Sequence, residues 1–134
     1  RKYFRKNKGL TKFAKKLMDD YYGGILSDQT PASKKVFLDK LKLENFEPVV
    51  ISCDVGARKP YKKIYRILKK EMDNLVKKEE KQYNKRIKYS EILFIDNRDW
   101  NLKPARELGM KTLLFKTNKQ AIKELKKLLK KNKN

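Results

Sequence analysis

The stretch ILFIDNRDWNLKPARELGMKTLLF, residues 92–115, decides how this chain is read. Four apolar residues, Ile92 to Ile95, run straight into Asp96. A short apolar run of this kind fits a strand buried on both faces, as strands of parallel sheets are. A helix is expected to end near Leu108, because Gly109 stands where a left-handed terminating residue is preferred. KTLLF, residues 111–115, follows as another strand. Strand, helix and strand in close succession make a crossover unit of a parallel sheet. A carboxylate closing the first of these strands caps the next helix or meets a ligand, since open parallel sheets bind ligands beyond the carboxyl ends of their strands.

The same rhythm extends upstream. Leu10, Phe13, Ala14, Leu17 and Met18 recur at helical intervals, with Thr11 near the cap and Gly23-Gly24 breaking the pattern. GILS, residues 24–27, reads as a short strand. Ser33 is expected to cap a helix carrying Val36, Phe37 and Leu41 on its apolar side. EPVVIS, residues 47–52, is a second strand. Pro60 fits the first turn of a long amphipathic helix whose stripe is Ile64, Leu68, Met72, Leu75 and Val76. Residues 77–90, rich in charge and without an apolar face, read as an extended helix end or surface loop. The last helix carries Ile122, Leu125, Leu128 and Leu129 before a basic tail at 131–134. The expectation is a parallel sheet of four adjacent strands with helices on both faces.

Composition limits the chemistry. The chain has 134 residues and no histidine, which removes Ser-His and Cys-His nucleophile pairs and every His-ligated metal site. Cys53 is the single cysteine, so no internal disulfide forms; that suits a reducing compartment and a cytoplasmic setting. No apolar run approaches the ~20 residues needed to span a bilayer. The formal net charge of +21 favours anionic partners such as nucleic acid or phosphorylated small molecules. Of 37 basic residues, however, 30 are lysine and 7 arginine. Nucleic-acid surfaces lean on arginine, so the lysine load reads first as decoration of solvent faces.

Three strand ends carry polar groups: Ser27-Asp28, the segment SCDVGARKP (52–60) with Lys59, and Asp96-Asn97. In parallel strands these collect along one rim. A hydroxyl with the backbone amide after it can hold phosphate oxygens, a lysine adds compact positive charge, and a strand-end aspartate suits Mg²⁺. Singly, each has a plain alternative as a turn residue, a solvated cation or a helix cap. Together they describe a phosphoryl-transfer site, where positioning and charge neutralisation do most of the work. Arg98 and Trp100 follow Asp96 and read as helix-start surface positions beside that rim.

GILSDQT (24–30), SCDVGARKPYKKIY (52–65) and the stretch 92–115 resemble motifs two, three and four of the haloacid dehalogenase-like (HAD) hydrolase superfamily. The resemblance spans roughly residues 10–130. It implies a three-layer α/β/α Rossmann-like core and a Mg²⁺-dependent phosphatase acting on a small phosphorylated metabolite through an aspartyl-phosphate. On the matching positions it implies that Ser27 and the amide of Asp28 contact the phosphoryl group. Lys59 would steady nucleophile and phosphate as the catalytic lysine, and Asp96 would ligate the metal.

Two departures stand out. The family's D-x-D-x-[TV] nucleophile motif is absent, and with it the first, central strand between those of motifs two and four. Residues 1–9 are then expected to be the remnant of a cap or linker, with the nucleophile upstream of Arg1. Asp96 is also followed by Asn97, with Asn101 five positions on, where the family places a second acid. An Asn lacks the charge of the second acid, so weaker metal binding is one expectation; the other is that Asn97 or Asn101 orients a metal-bound water. The alternative is a catalytically inactive basic module that binds nucleic acid or another anionic partner. Substrate and oligomeric state are not legible in the sequence, and no membrane association is expected.

Overall fold

A computed structural model describes residues 16–17, 20–41 and 46–132. The helix expected at Leu10 to Met18 falls, Leu17 apart, outside the described residues, as do the segment 1–9 and residues 133–134. The described elements are β1 (Ile25–Ser27), α1 (Pro31–Leu41), β2 (Val49–Ile51), α2 (Ser52–Val55), α3 (Lys62–Glu80), a 3₁₀ turn (Tyr89–Glu91), β3 (Leu93–Asp96), α4 (Asp99–Leu108), β4 (Lys111–Leu114) and α5 (Asn118–Asn132). It is a mixed α/β chain with parallel strand pairing. The last helix runs to Asn132, into the stretch expected to fray.

The strands form two pairs rather than one sheet of four. β1 lies parallel to β2, with Leu26 opposite Val50, and β3 lies parallel to β4, with Ile95 opposite Leu113. Among the described residues no strand ladder joins β1 to β3. What joins the two pairs is a shared helical floor. Leu26 and Val50 from one pair and Phe94 from the other meet Ile64, Tyr65 and Leu68 of α3 and Leu102 and Ala105 of α4 in a single apolar cluster.

Alternation along each strand sends the neighbouring residues to the opposite face. There Ile25 and Ile51 pack with Phe37 of α1 and with Phe46. Leu113 and Phe115 pack with Ala121 and Leu125 of α5. Both faces of each pair are therefore covered, which is why the strand sequences read as continuous apolar runs.

Local chemistry sets the boundaries. Thr30, not Ser33, precedes the first residue of α1. The Thr30 amide donates to Ser33 Oγ at 2.8 Å, and the Ser33 amide donates to Thr30 Oγ1 at 3.1 Å. This reciprocal exchange starts the helix one turn earlier than a Ser33 cap would. Val36, expected on the apolar side, is exposed, while Phe37 is buried. α3 begins at Lys62, two residues beyond Pro60, which lies in the preceding turn. The α3 stripe buries Ile64, Leu68, Leu75 and Val76, with Met72 half-buried.

Residues 77–90 divide at Lys81, whose φ of 54° ends α3. The loop beyond is tied back by Asp73, which accepts hydrogen bonds from the Ile87 amide at 2.8 Å and Lys69 Nζ at 2.7 Å. Among the described residues no helix is long and apolar enough to cross a membrane.

Gly109 closes α4 with φ 104°, and its amide and that of Met110 return to carbonyls of the last turn. A side chain is strained at that φ, and a Cβ there would stand 3.4 Å from Tyr89 Cβ. Gly109→Ala is expected to destabilise the chain by about 1–2 kcal/mol. Chemical denaturation of the two proteins side by side measures it, and an unchanged midpoint would contradict the reading of this turn.

Candidate functional site

The site is built where β1 and β3 end. Asp28 follows β1, Asp96 is the last residue of β3, and Lys59 comes from the loop between α2 and α3. The Lys59 backbone amide donates to Asp28 Oδ1 at 3.1 Å, and its Nζ donates to Asp96 Oδ2 at 3.0 Å. One residue thus reaches the ends of strands in both pairs. The pair is buried: side-chain exposure is 7% for Lys59 and 8% for Asp96. The Lys59 ammonium has three protons and, among the described residues, one carboxylate partner.

Asp96 has a structural duty as well. Its Oδ1 accepts the Arg98 amide at 2.9 Å, a side-chain turn that launches α4. Its Oδ2 also accepts Asn101 Nδ2 at 3.3 Å, from one turn into the helix. Asn101 is buried, whereas Asn97 is exposed. Of the two amides singled out in the sequence, Asn101 touches Asp96 and Asn97 lies on the surface.

Ser27 is fully buried at the end of β1, and its Oγ accepts Gln29 Nε2 at 2.8 Å. The backbone of Gln29 is clasped by Ser52 Oγ, which accepts the amide at 2.9 Å and donates to the carbonyl at 3.1 Å. Gln29 and Ser52 therefore lock the loop after β1 to the end of β2. Sequence reading did not single out Gln29, because a glutamine in a loop carries no signal of its own.

Tyr65 was also missed. It is fully buried, stands edge-on to Phe94 with ring centroids 5.4 Å apart, and donates its hydroxyl to the Asn101 carbonyl. Burial raises its pKa above the usual tyrosine value, with the nearby charges of Asp96 and Asp28 adding to the effect. The hydroxyl thus stays protonated beneath the carboxylates. Its adjacency to Ile64 on the α3 stripe was the available signal.

The arrangement buries an ammonium against a strand-end carboxylate, and desolvated charges of this kind act over short range with little screening. A lone buried ion pair is a poor way to gain stability, because desolvation offsets much of the attraction. Such pairs at the end of a strand are candidates for function.

The described residues do not make a Mg²⁺ site by themselves. They contain no group of three His, Cys, Asp or Glu placed to hold a metal ion. Asp96 brings one carboxylate whose two oxygens already accept hydrogen bonds, while Mg²⁺ demands a near-octahedral oxygen shell.

Comparison with known proteins gives a partial likeness. Over 85 residues the chain is 34% identical to bifunctional epoxide hydrolase 2 of Rattus norvegicus, covering 63% of this chain and 13% of that protein. The Mus musculus protein of the same name is 35% identical over 85 residues, with the same coverage. The Sus scrofa protein is 32% identical over 84 residues, again 63% of this chain and 13% of the relative. The match thus spans about an eighth of the length of these curated relatives, which are hydrolases by name. No protein-family model matches the chain.

Two outcomes are expected. Lys59→Ala leaves Asp96 as a buried, uncompensated charge and costs about 3–5 kcal/mol of stability. Lys59→Met, Asp96→Leu and the two combined form a double-mutant cycle expected to show a coupling of about 0.5–3 kcal/mol, because the double variant leaves neither charge uncompensated. A cycle with no coupling would deny the pair.

The second outcome concerns alkaline pH. Because the Tyr65 pKa lies higher folded than the ordinary value of 10.0, its contribution to stability is complete below that value. The contribution is lost as pH rises toward the folded-state pKa, with a slope of up to about 1.4 kcal/mol per pH unit. Tyr65→Phe abolishes that slope in denaturant titrations between neutral and alkaline pH, besides costing about 1 kcal/mol for the lost hydrogen bond.

Proposed function

We propose that this chain is the phosphate-holding part of a HAD-like phosphohydrolase acting on a small phosphorylated metabolite. The observation that carries the reading is the buried Lys59–Asp96 pair, at 3.0 Å, with Asp28 on the Lys59 backbone. Three of the positions matched by the resemblance meet there, at the ends of β1 and β3. The likeness to proteins named hydrolases points the same way.

In this reading Lys59 neutralises a phosphoryl group, and the Ser27 hydroxyl and Asp28 amide hold its oxygens. Phosphoryl transfer asks for little else than such positioning and charge neutralisation. Asp96 fixes Lys59, and since both its oxygens accept hydrogen bonds, a Mg²⁺ here would need oxygen ligands beyond the described residues, with Asn101 the amide beside Asp96. The attacking carboxylate of an aspartyl-phosphate mechanism would likewise come from outside the described residues. A central strand of a three-layer Rossmann-like core would stand between β1 and β3, which no ladder joins among the described residues, and would bring these groups there. This chain alone is then inactive as a phosphatase.

A second reading rests on the net charge of +21, which suits a module that binds nucleic acid through its phosphates. The two readings separate by titration calorimetry. The phosphatase reading expects saturable binding of inorganic phosphate that Lys59→Ala weakens at least tenfold and Lys59→Arg partly retains. It also expects any binding of duplex DNA or RNA to be indifferent to Lys59. Absence of phosphate binding, together with tight nucleic-acid binding that falls steeply with salt, would reverse the assignment.

A further inference from the structure

We propose that the rim around Lys59 and Asp96 selects phosphate esters whose leaving group carries a planar ring, either an aryl group or a nucleobase. The proposal rests on the phosphate-site reading and adds what would hold the rest of the substrate.

Five large hydrophobic side chains are exposed among the described residues. Two of them, Tyr61 at 58% and Trp100 at 61%, follow Lys59 and Asp96 within a few positions. Tyr61 stands two residues after Lys59 and Trp100 four residues after Asp96, so both rings belong to the chain segments that the ion pair joins. Each ring also carries an arginine. The guanidinium of Arg58 lies 5.1 Å from the Tyr61 ring centroid, and that of Arg98 lies 5.7 Å from the Trp100 ring centroid. The 3.0 Å contact between Lys59 and Asp96 brings the two chain segments together.

Arginine is the scarce cation here, 7 against 30 lysines. Unlike lysine it has a flat face, weakly hydrated, that stacks on rings and on ligands alike. Arg58 and Arg98 are both exposed, and neither has a carboxylate partner among the described residues. The Arg98 amide is held by Asp96 itself, so this part of the rim is registered to the ion pair and not merely near it. A ring entering over either guanidinium completes a stack of ring, cation and ring. The phosphate of the same molecule then reaches toward Lys59. An alkyl group of equal size gains only contact area.

Trp100 is the chain's single tryptophan, so its fluorescence reports occupancy of the rim directly. The experiment titrates the chain with inorganic phosphate, phenyl phosphate and cyclohexyl phosphate, the last two matched in size and differing in the π-face. Phenyl phosphate is expected to bind about tenfold more tightly than cyclohexyl phosphate, a difference of about 1.4 kcal/mol. That lies within the range of base-on-aromatic stacking. Replacing both cations, as Arg58→Lys with Arg98→Lys, keeps the charge, removes the flat faces and brings the ratio of the two affinities close to one. Calorimetry confirms the ratio independently of the fluorophore.

Equal affinity for the two esters, or a ratio that survives the double substitution, overturns the ring selectivity while leaving the phosphate site standing. Failure of inorganic phosphate to bind at all overturns the phosphate reading and this inference with it.

Discussion

The architecture turns on Lys59. Two parallel strand pairs lie on a common helical floor with no ladder between them among the described residues. Near the strand ends, where the floor gives way to solvent, a single loop residue grips both. Its amide takes the carboxylate after β1 and its ammonium takes the carboxylate that closes β3. Holding an ammonium there requires a negative partner at close range, because an isolated buried cation would be far too costly. Holding the carboxylate requires the ammonium for the same reason. The constraint is mutual, and it fixes the relative height of the two strand ends in a way that apolar packing, being non-directional, would not.

The layers beneath explain how the loop is presented. Asp96 gives one oxygen to the Arg98 amide and so starts α4 in a fixed orientation. α4 returns the favour through Asn101, whose side chain reaches Asp96 and whose carbonyl takes the Tyr65 hydroxyl. Tyr65 belongs to α3, the floor itself. A continuous chain of hydrogen bonds therefore runs from the floor through α4 to the strand end, and from there to Lys59. On the other side Ser52 and Gln29 tie β2 to the loop after β1. Ser27, Lys59 and Asp96 are thus each held by hydrogen bonds from a neighbouring segment, which is what a site needs if it is to act through position.

Much of this was legible in the residues. Apolar runs ending in polar residues located all four strands, because strands covered on both faces leave no alternation to confuse the pattern. Gly109 marked the end of α4 because only a residue without a side chain sits easily at that φ. Asp28, Lys59 and Asp96 were found from their position after strands, and the structure brings them into contact. Other features were hidden for physical reasons. The strand rhythm alone points to four adjacent strands, while the resemblance removes the central strand between those of motifs two and four and so leaves a gap or an altered pairing; two pairs stand. Thr30 and Ser33 are both good caps, and only the geometry of their exchange decides which residue comes first. Tyr65 is not singled out by the sequence, and its hydroxyl acquires meaning only from a residue 36 positions further along the chain.

The separation of the strands into two pairs has a consequence for how the molecule opens. Within each pair the strands are close neighbours in the chain, joined by one crossover, so each unit closes a modest loop on its own. Between the units no ladder runs among the described residues, and the join is made by α3, the shared apolar cluster and Lys59. Amide protons inside β3 and β4 are expected to be shielded by their own ladder, and those of β1 and β2 by theirs. The two units can exchange with solvent at different free energies, the boundary between them falling at the long helix that serves both.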